Sequence, residues 1–290
     1  MPSASVVIPA HNEGRVIGRL LESLLRQAEP GEFDVVVVAN GCDDDTAEVA
    51  RGHGARVVET PVPSKREALR LGDEAATSFP RVYVDADVQV STADVRALRD
   101  ALAATGTLAA APERALVLRD RPWPVRAYYA VWTRLPAVRE GLFGRGVIAV
   151  SEAGNRRIMD LPPVMGDDLA ASLAFTPGER RVVTGARAVI HPPRTLGDLM
   201  RRRVRAVTVV AEIEQGELGG RAEAGGQGPG PAREARTGAR DLLAIARRAP
   251  WLAPHLAVFL AVTLVARARA RKAVRAKDYT TWLRDESSRT

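Results

Sequence analysis

Within the first 85 residues, short apolar runs alternate with stretches of helical periodicity, and this alternation limits the fold more than any other feature of the chain. Ser5–Pro9 and Phe33–Ala39 (FDVVVVA) are continuous apolar segments, the pattern of strands buried on both faces. Between them Val16, Ile17, Leu20, Leu21, Leu24 and Leu25 recur at helical spacing, with Arg15, Arg19, Glu22 and Arg26 interleaved. The same reading predicts helices over Thr46–His53 and Lys65–Ala76, and strands over Ala55–Glu59 and Arg81–Asp85. Strand and helix in strict alternation form a mostly parallel sheet with right-handed crossovers. The fold class is therefore α/β, and ligands of such sheets bind at the carboxyl ends of the strands.

Those ends read PAHNEGR, NGCDDDT, TPVPSKRE and DADVQ. The last is the most telling, because Asp85 and Asp87 close a buried strand. An ionised carboxylate in such a place is costly to desolvate unless a cation meets it. Two acids one residue apart suit a hard divalent cation, Mn2+ or Mg2+, that takes its remaining ligands from a diphosphate and water. A solvated turn is the competing explanation for any isolated D-x-D.

The remaining composition narrows the classes further. The chain of 290 residues is 46% hydrophobic and 27% charged, with a net charge of +7 that favours anionic partners. One cysteine, Cys42, excludes an intrachain disulfide and a cysteine metal cluster. The N-terminus carries no basic segment followed by a long apolar one, so a cytoplasmic catalytic part is expected. In the second half, a strand is expected over Gly144–Val150, a helix over Asp167–Phe175, a strand over Val182–Ile190 and a basic helix from Thr195 to about Glu214. Residues 216–238, rich in Gly, Ala and Pro, read as a flexible linker, and 239–290 as a helical, basic tail.

The runs SVVIPAHNEGRVIGRLLESLL, VVVVANGCDDDTAEVAR, SKREALRLGDEAA and VYVDADV, in this order, resemble the successive motifs of the family 2 glycosyltransferases of the GT-A fold. The resemblance covers about the first 90 residues. It implies a GT-A (Rossmann-like) catalytic domain over 1–215, with a nucleotide-sugar half to about residue 105 and an acceptor half over 106–215. It also implies roles. Pro9, Ala10 and Glu13 would line the nucleotide pocket, and Asn40 and Asp44 would lie against the base. Lys65 would stand near the nucleotide, Asp85 and Ala86 against the nucleotide sugar, and Asp87 on the metal with Asp85. Where many members carry Asp-Asp-Gly-Ser, this chain has Ala39-Asn40-Gly41-Cys42, which leaves the identity of the base open.

In PPVMGDDLAASLAF, Asp167-Asp168 match the family's acidic pair at a helix start. Asp168 is then the base that takes the proton from an acceptor hydroxyl in an inverting transfer, with Asp167 beside it. His191 would be a third metal ligand or a turn residue. Gly146 would belong to an acceptor-side glycine loop, and Arg202 and Arg205 would hold the leaving diphosphate. The Gln-x-x-Arg-Trp pattern of processive synthases is absent from the sequence.

The implied function is metal-assisted transfer of a sugar from a nucleotide-diphosphate donor to an acceptor that is either lipid-linked or a small molecule. A retaining enzyme resembling the glucosyl-3-phosphoglycerate synthases is the nearest rival. A nucleotidyltransferase would need a Gly-rich phosphate loop, which PAHNEGR is not. A non-catalytic basic module on membrane or nucleic acid belongs to a different class, and the acidic strand-end loops argue against nucleic acid. For the tail two readings stand. The eleven uncharged residues Leu256–Ala266 are short for a bilayer span of about 20, so the segment is either an interfacial helix at the inner face of the cell membrane or a helix packed on the catalytic domain.

Overall fold

The computed structural model describes residues 1–161, 167–224 and 238–275. Strands β1 (Ala4–Ala10), β2 (Phe33–Asn40), β3 (Arg56–Thr60) and β4 (Arg81–Val84) alternate with helices α1 (Gly14–Leu25), α2 (Thr46–Gly52) and α3 (Lys65–Ala75). Then follow α4 (Thr92–Leu102), β5 (Ala109–Leu116), α5 (Trp123–Trp132), α6 (Pro136–Glu140) and β6 (Val147–Val150). Helices α7 (Glu152–Met159) and α8 (Asp167–Leu173), strand β7 (Arg180–Ile190) and helix α9 (Leu196–Ala224) complete the domain, and α10 (Ala239–Arg248) and α11 (Ala253–Arg275) form the tail.

The sheet has seven strands in the order β3-β2-β1-β4-β6-β5-β7. β6 runs antiparallel to both its neighbours, and the other pairings are parallel. Alternate residues of each central strand face opposite layers. Val6, Ile8, Val35, Val37, Val82 and Val84 pack against α1 and α4, whereas Val7, Val36, Val38 and Tyr83 pack on the α3 side. This two-sided burial is why the strands read as unbroken apolar runs. Helix α3 lies so close that a Cβ on Gly72 would fall 2.3 Å from Val7 Cγ1.

The amino ends of the strands are tied by a polar knot. Asp34 Oδ1 accepts from Arg56 Nε at 2.9 Å and Nη2 at 2.7 Å, and its Oδ2 accepts from Ser5 Oγ at 3.0 Å and from the Thr77 amide at 2.8 Å. Burial alone would raise the pKa of this carboxyl, but the bonds from Arg56, Thr77 and Ser5 outweigh it and hold the group below the usual carboxylate range.

Two expectations change. Helix α9 continues to Ala224, into the stretch expected to be a linker; residues 225–237 lie outside the described residues. The tail helix is also longer than its uncharged core. Pro250–Arg271, 22 residues of mean hydropathy 1.6, is by length and composition long enough to cross a membrane. In the structure one side of it packs on the domain. Phe259 stacks on Tyr128 of α5 with ring centroids 5.1 Å apart, and Leu256, Val262 and Ala266 join Leu199 and Val204 of α9 in one apolar cluster.

Candidate active site

The carboxyl ends of β1, β2 and β4 meet the amino end of α3, as the strand order requires. Asp85 follows the last residue of β4. Its backbone amide donates to Gly146 O at 2.8 Å, and its carboxylate Oδ1 accepts from Lys65 Nζ at 2.7 Å. Lys65 opens α3 just after Ser64, whose Oγ caps the helix by accepting from Glu67 N at 3.3 Å. Ala86 is buried, so the turn presents its two acids and hides the residue between them.

Desolvation and the adjacent Asp85 push the Asp87 pKa up, against the opposite pull of Arg202 and Lys65. His191 follows β7, on the far side of the site. A two-way bridge brings it there: Gln89 N donates to Val189 O at 3.1 Å and Val189 N to Gln89 O at 2.9 Å. Burial first, then Arg19 and Arg121, push the His191 pKa down, while Asp87 pulls it up. His191 is accordingly neutral at neutral pH, with a lone pair free to coordinate. Arg121 is itself fixed, its Nε donating to Pro192 O at 2.6 Å.

The loops after β1 and β2 are laced to each other. Asn40 Nδ2 donates to Ala10 O at 2.7 Å, and Asn12, at φ 52°, accepts the Asp43 amide on its Oδ1 at 3.0 Å. Asp44 Oδ2 accepts the Gly14 amide at 3.0 Å, and its Oδ1 accepts the Thr46 amide at 3.1 Å and the Thr46 hydroxyl. Asn40 is 3% exposed and Asp44 is taken up by the loop amides. Both are expected against the base, and the structure adds that their polar atoms also tie the two loops together. Pro9 is half-buried, and Ala10 and Glu13 are buried at the same mouth.

The glycine loop before β6, expected on the acceptor side, is held by two arginines that the sequence did not single out. Arg114 on β5 donates through Nε to Gly144 O at 2.9 Å, through Nη1 to Val138 O at 2.6 Å and through Nη2 to Phe143 O. Arg145 donates to Gly141 O at 3.0 Å and to Pro112 O at 2.8 Å. Together they clamp the glycine loop. Asp168 Oδ2 accepts the Gly144 amide at 2.8 Å and its Oδ1 the Leu169 amide at 2.9 Å, which aims the carboxylate along this loop. Burial, then Arg145, disfavour the charge on Arg114, Asp168 favours it, and Arg202 opposes it. Arg205 is half-buried one turn further along α9. Asp167 begins α8, and its side chain lies outside the described residues.

The profile of Glycosyl transferase family 2 matches residues 5–157 of the 290. The chain belongs to this family. Two curated relatives support it, both 4,4'-diaponeurosporenoate glycosyltransferases of Staphylococcus aureus. That of strain bovine RF122 / ET3-1 is 39% identical over 92 residues, covering 30% of this chain and 24% of that protein. That of strain USA300 is 39% identical over 90 residues, covering 29% and 24%. The aligned segment therefore spans about a quarter of these relatives' length.

Among solved structures, the mannosyltransferase PcManGT from Pyrobaculum calidifontis, in complex with GDP-Man and Mn2+, superposes with a TM-score of 0.61. It is 21% identical, and the match covers 99% of this chain and 85% of that one. Glucosyl-3-phosphoglycerate synthase from Mycobacterium tuberculosis, in complex with Mn2+ and UDP-Glc, gives 0.51 at 24% identity, over 68% and 73%. At these identities the likeness is one of fold, and the fold of this family 2 chain is GT-A.

Whether the strand-end acids of this family 2 chain fit a metal follows from their chemistry. Among the described residues no group of three His, Cys, Asp or Glu side chains converges to hold a metal by itself. Asp85, Asp87 and His191 are not a ready-made cage. What the site offers is two carboxylates, one of them disfavoured as an anion, and a neutral imidazole nearby. That donor set fits a hard divalent cation completed by diphosphate oxygens.

Proposed function

We propose that this protein transfers a sugar from a nucleoside-diphosphate sugar to an acceptor hydroxyl. The observation that carries the reading is the Asp85–Asp87 turn: two acids at a buried strand end, with Lys65 on one and a raised pKa on the other. Negative charge accumulated there at the cost of desolvation suits a cation that arrives with its own anion. Asp87, with Asp85, would hold Mn2+ or Mg2+. When bound, such an ion stabilises charge on the leaving diphosphate.

The chain's own residues do the rest. Lys65 and Arg202 flank the acids and suit the diphosphate oxygens. The laced loops after β1 and β2 hold Pro9, Ala10 and Glu13 as the wall for the nucleoside. Asp168, aimed by the Gly144 amide, takes the proton from the acceptor hydroxyl as its oxygen displaces the nucleoside diphosphate from the anomeric carbon, and this single displacement inverts that carbon. The names of the four similar proteins agree in kind: two are glycosyltransferases, one a mannosyltransferase and one a glucosyl-3-phosphoglycerate synthase.

Calorimetry with UDP and with GDP, each with and without Mn2+, tests the donor site. Metal-dependent binding of one diphosphate is expected, and its loss in Asp87→Ala. Metal-independent binding, or binding undiminished in Asp87→Ala, sinks the assignment. The anomeric configuration of the product, read by NMR, tests Asp168: a retained anomer removes it from the role of base.

A further inference from the structure

The tail helix α11 buries one side against α5 and α9 and leaves the other to solvent. The buried side carries Leu256, Phe259, Val262 and Ala266. Between them the exposed positions are Ala257, Leu260, Ala261, Leu264 and Val265, at the helical spacing of a second apolar stripe. Leu260 is 42% exposed, Leu264 61% and Val265 43%. At the amino end of this stripe Trp251 is 70% exposed, and Trp123 of α5, 46% exposed, packs its ring 5.8 Å from that of His255. Helix α10 adds Leu243, 50% exposed.

Large apolar side chains gathered on one exposed face are uncommon on a soluble surface and mark a docking face. Charge identifies the partner. Arg247 and Arg248 precede the stripe, Arg267, Arg269 and Arg271 follow it, and all five are exposed. From Arg247 to Arg275 the sequence holds no Asp or Glu. An apolar centre with indole rings at one end and cations at both fits the interface of an anionic bilayer, where acyl chains take the Leu and Val, the headgroup zone takes Trp, and phosphates take Arg.

We propose that the outward face of α11 docks this protein on anionic lipid bilayers, with the helix lying in the plane of the interface. A crossing orientation would pull Phe259, Val262 and Ala266 away from Tyr128, Leu199 and Val204, so the packing selects the in-plane one. The helices beneath are α5 and α9, both packed directly on α11, and α9 holds Arg202. The surface stands independently of the proposed transferase activity, and its test is read without it.

The experiment is co-sedimentation of the full chain with phosphatidylcholine vesicles and with vesicles of phosphatidylcholine mixed with phosphatidylglycerol. Binding to the mixed vesicles is expected, with weak binding to phosphatidylcholine alone. The Leu260→Asp/Leu264→Asp double variant should lose at least about tenfold in partitioning while keeping the wild-type Tm. Arg267→Gln/Arg269→Gln/Arg271→Gln should weaken the preference for phosphatidylglycerol and the salt sensitivity, at about fivefold per arginine, leaving the part owed to Arg247 and Arg248. The idea is overturned if the wild type stays in the supernatant with both vesicles, or if the leucine variant binds as well as wild type. It is equally overturned if ultracentrifugation shows a dimer that the leucine variant dissolves, since the face would then belong to a second copy.

Discussion

At Asp87, burial and the neighbouring Asp85 disfavour the charge, and Arg202 and Lys65 favour it without restoring the usual pKa. An acid whose pKa is raised in the folded state binds its proton more tightly there than in the unfolded chain. Its contribution to stability is complete below the usual carboxylate range and is lost as pH rises through the raised value. The metal-free protein is therefore expected to lose Tm from this group as pH rises above the carboxylate range, and Mn2+ with diphosphate should restore it at neutral pH. Asp87→Asn removes the penalty. Scanning calorimetry at neutral pH should give the metal-free variant a Tm equal to or above that of wild type, while metal-dependent nucleotide binding falls at least about tenfold. A lower Tm in the variant would mean that Asp87 is a structural acid. The position of the Asp85–Asp87 turn was legible in the sequence, because D-x-D closes an apolar run that forms β4. The nearness of His191 was not: it depends on the Gln89–Val189 bridge, a contact between residues a hundred positions apart. Nor could sequence tell that Asn40 and Asp44 also bond the neighbouring loops, since those partners lie some 30 residues away in the chain.

Among the elements, the first four strands and three helices stand within a residue or two of where periodicity places them, and the misses cluster after Val84, beginning with α4, which no expectation covered. Strand β5 (AAAPERAL) escapes recognition because Pro112 interrupts it and charged residues follow. The structure accommodates the proline at a register shift between Pro112 and Glu113 against β7. The strand expected from Gly144 begins only at Val147, since Gly144 and Gly146 take φ of 63° and 64°. Gly146 is the sharper test of this region. Its carbonyl receives the Asp85 amide, and an added Cβ would stand 2.4 Å from Val88 Cγ2. Gly146→Ala combines a left-handed backbone with a clash, and a loss of about 1–3 kcal/mol by denaturant unfolding is expected. Gly31→Ala, at φ 75° with open space around it, carries the backbone penalty alone and should cost less, about 1 kcal/mol. Equal losses at the two positions would show that the Val88 contact relaxes freely.

For the whole molecule, the question is whether the tail belongs to the folded unit or merely rests on it. The apolar cluster that joins α5, α9, α10 and α11 is separate from the two layers flanking the sheet, and Phe259 lies within it at 2% exposure, stacked on Tyr128. Sequence could not choose between a packed and an interfacial tail because α11 is apolar on both sides. Only the fold reveals that one side is used internally. If the tail is part of the cooperative unit, Phe259→Ala should cost about 3–5 kcal/mol of global stability, the usual range for emptying a packed phenylalanine site. Leu264→Ser, one turn away on the outward side, should stay within about 0.5 kcal/mol. Hydrogen exchange separates this from the alternative. Exchange accelerated in α5 and α9 as well as in α11 of the Phe259 variant places the cluster inside the cooperative fold. Acceleration confined to α11, with the denaturation midpoint of the sheet unchanged, would make the tail a detachable cover and the sheet a domain stable without it.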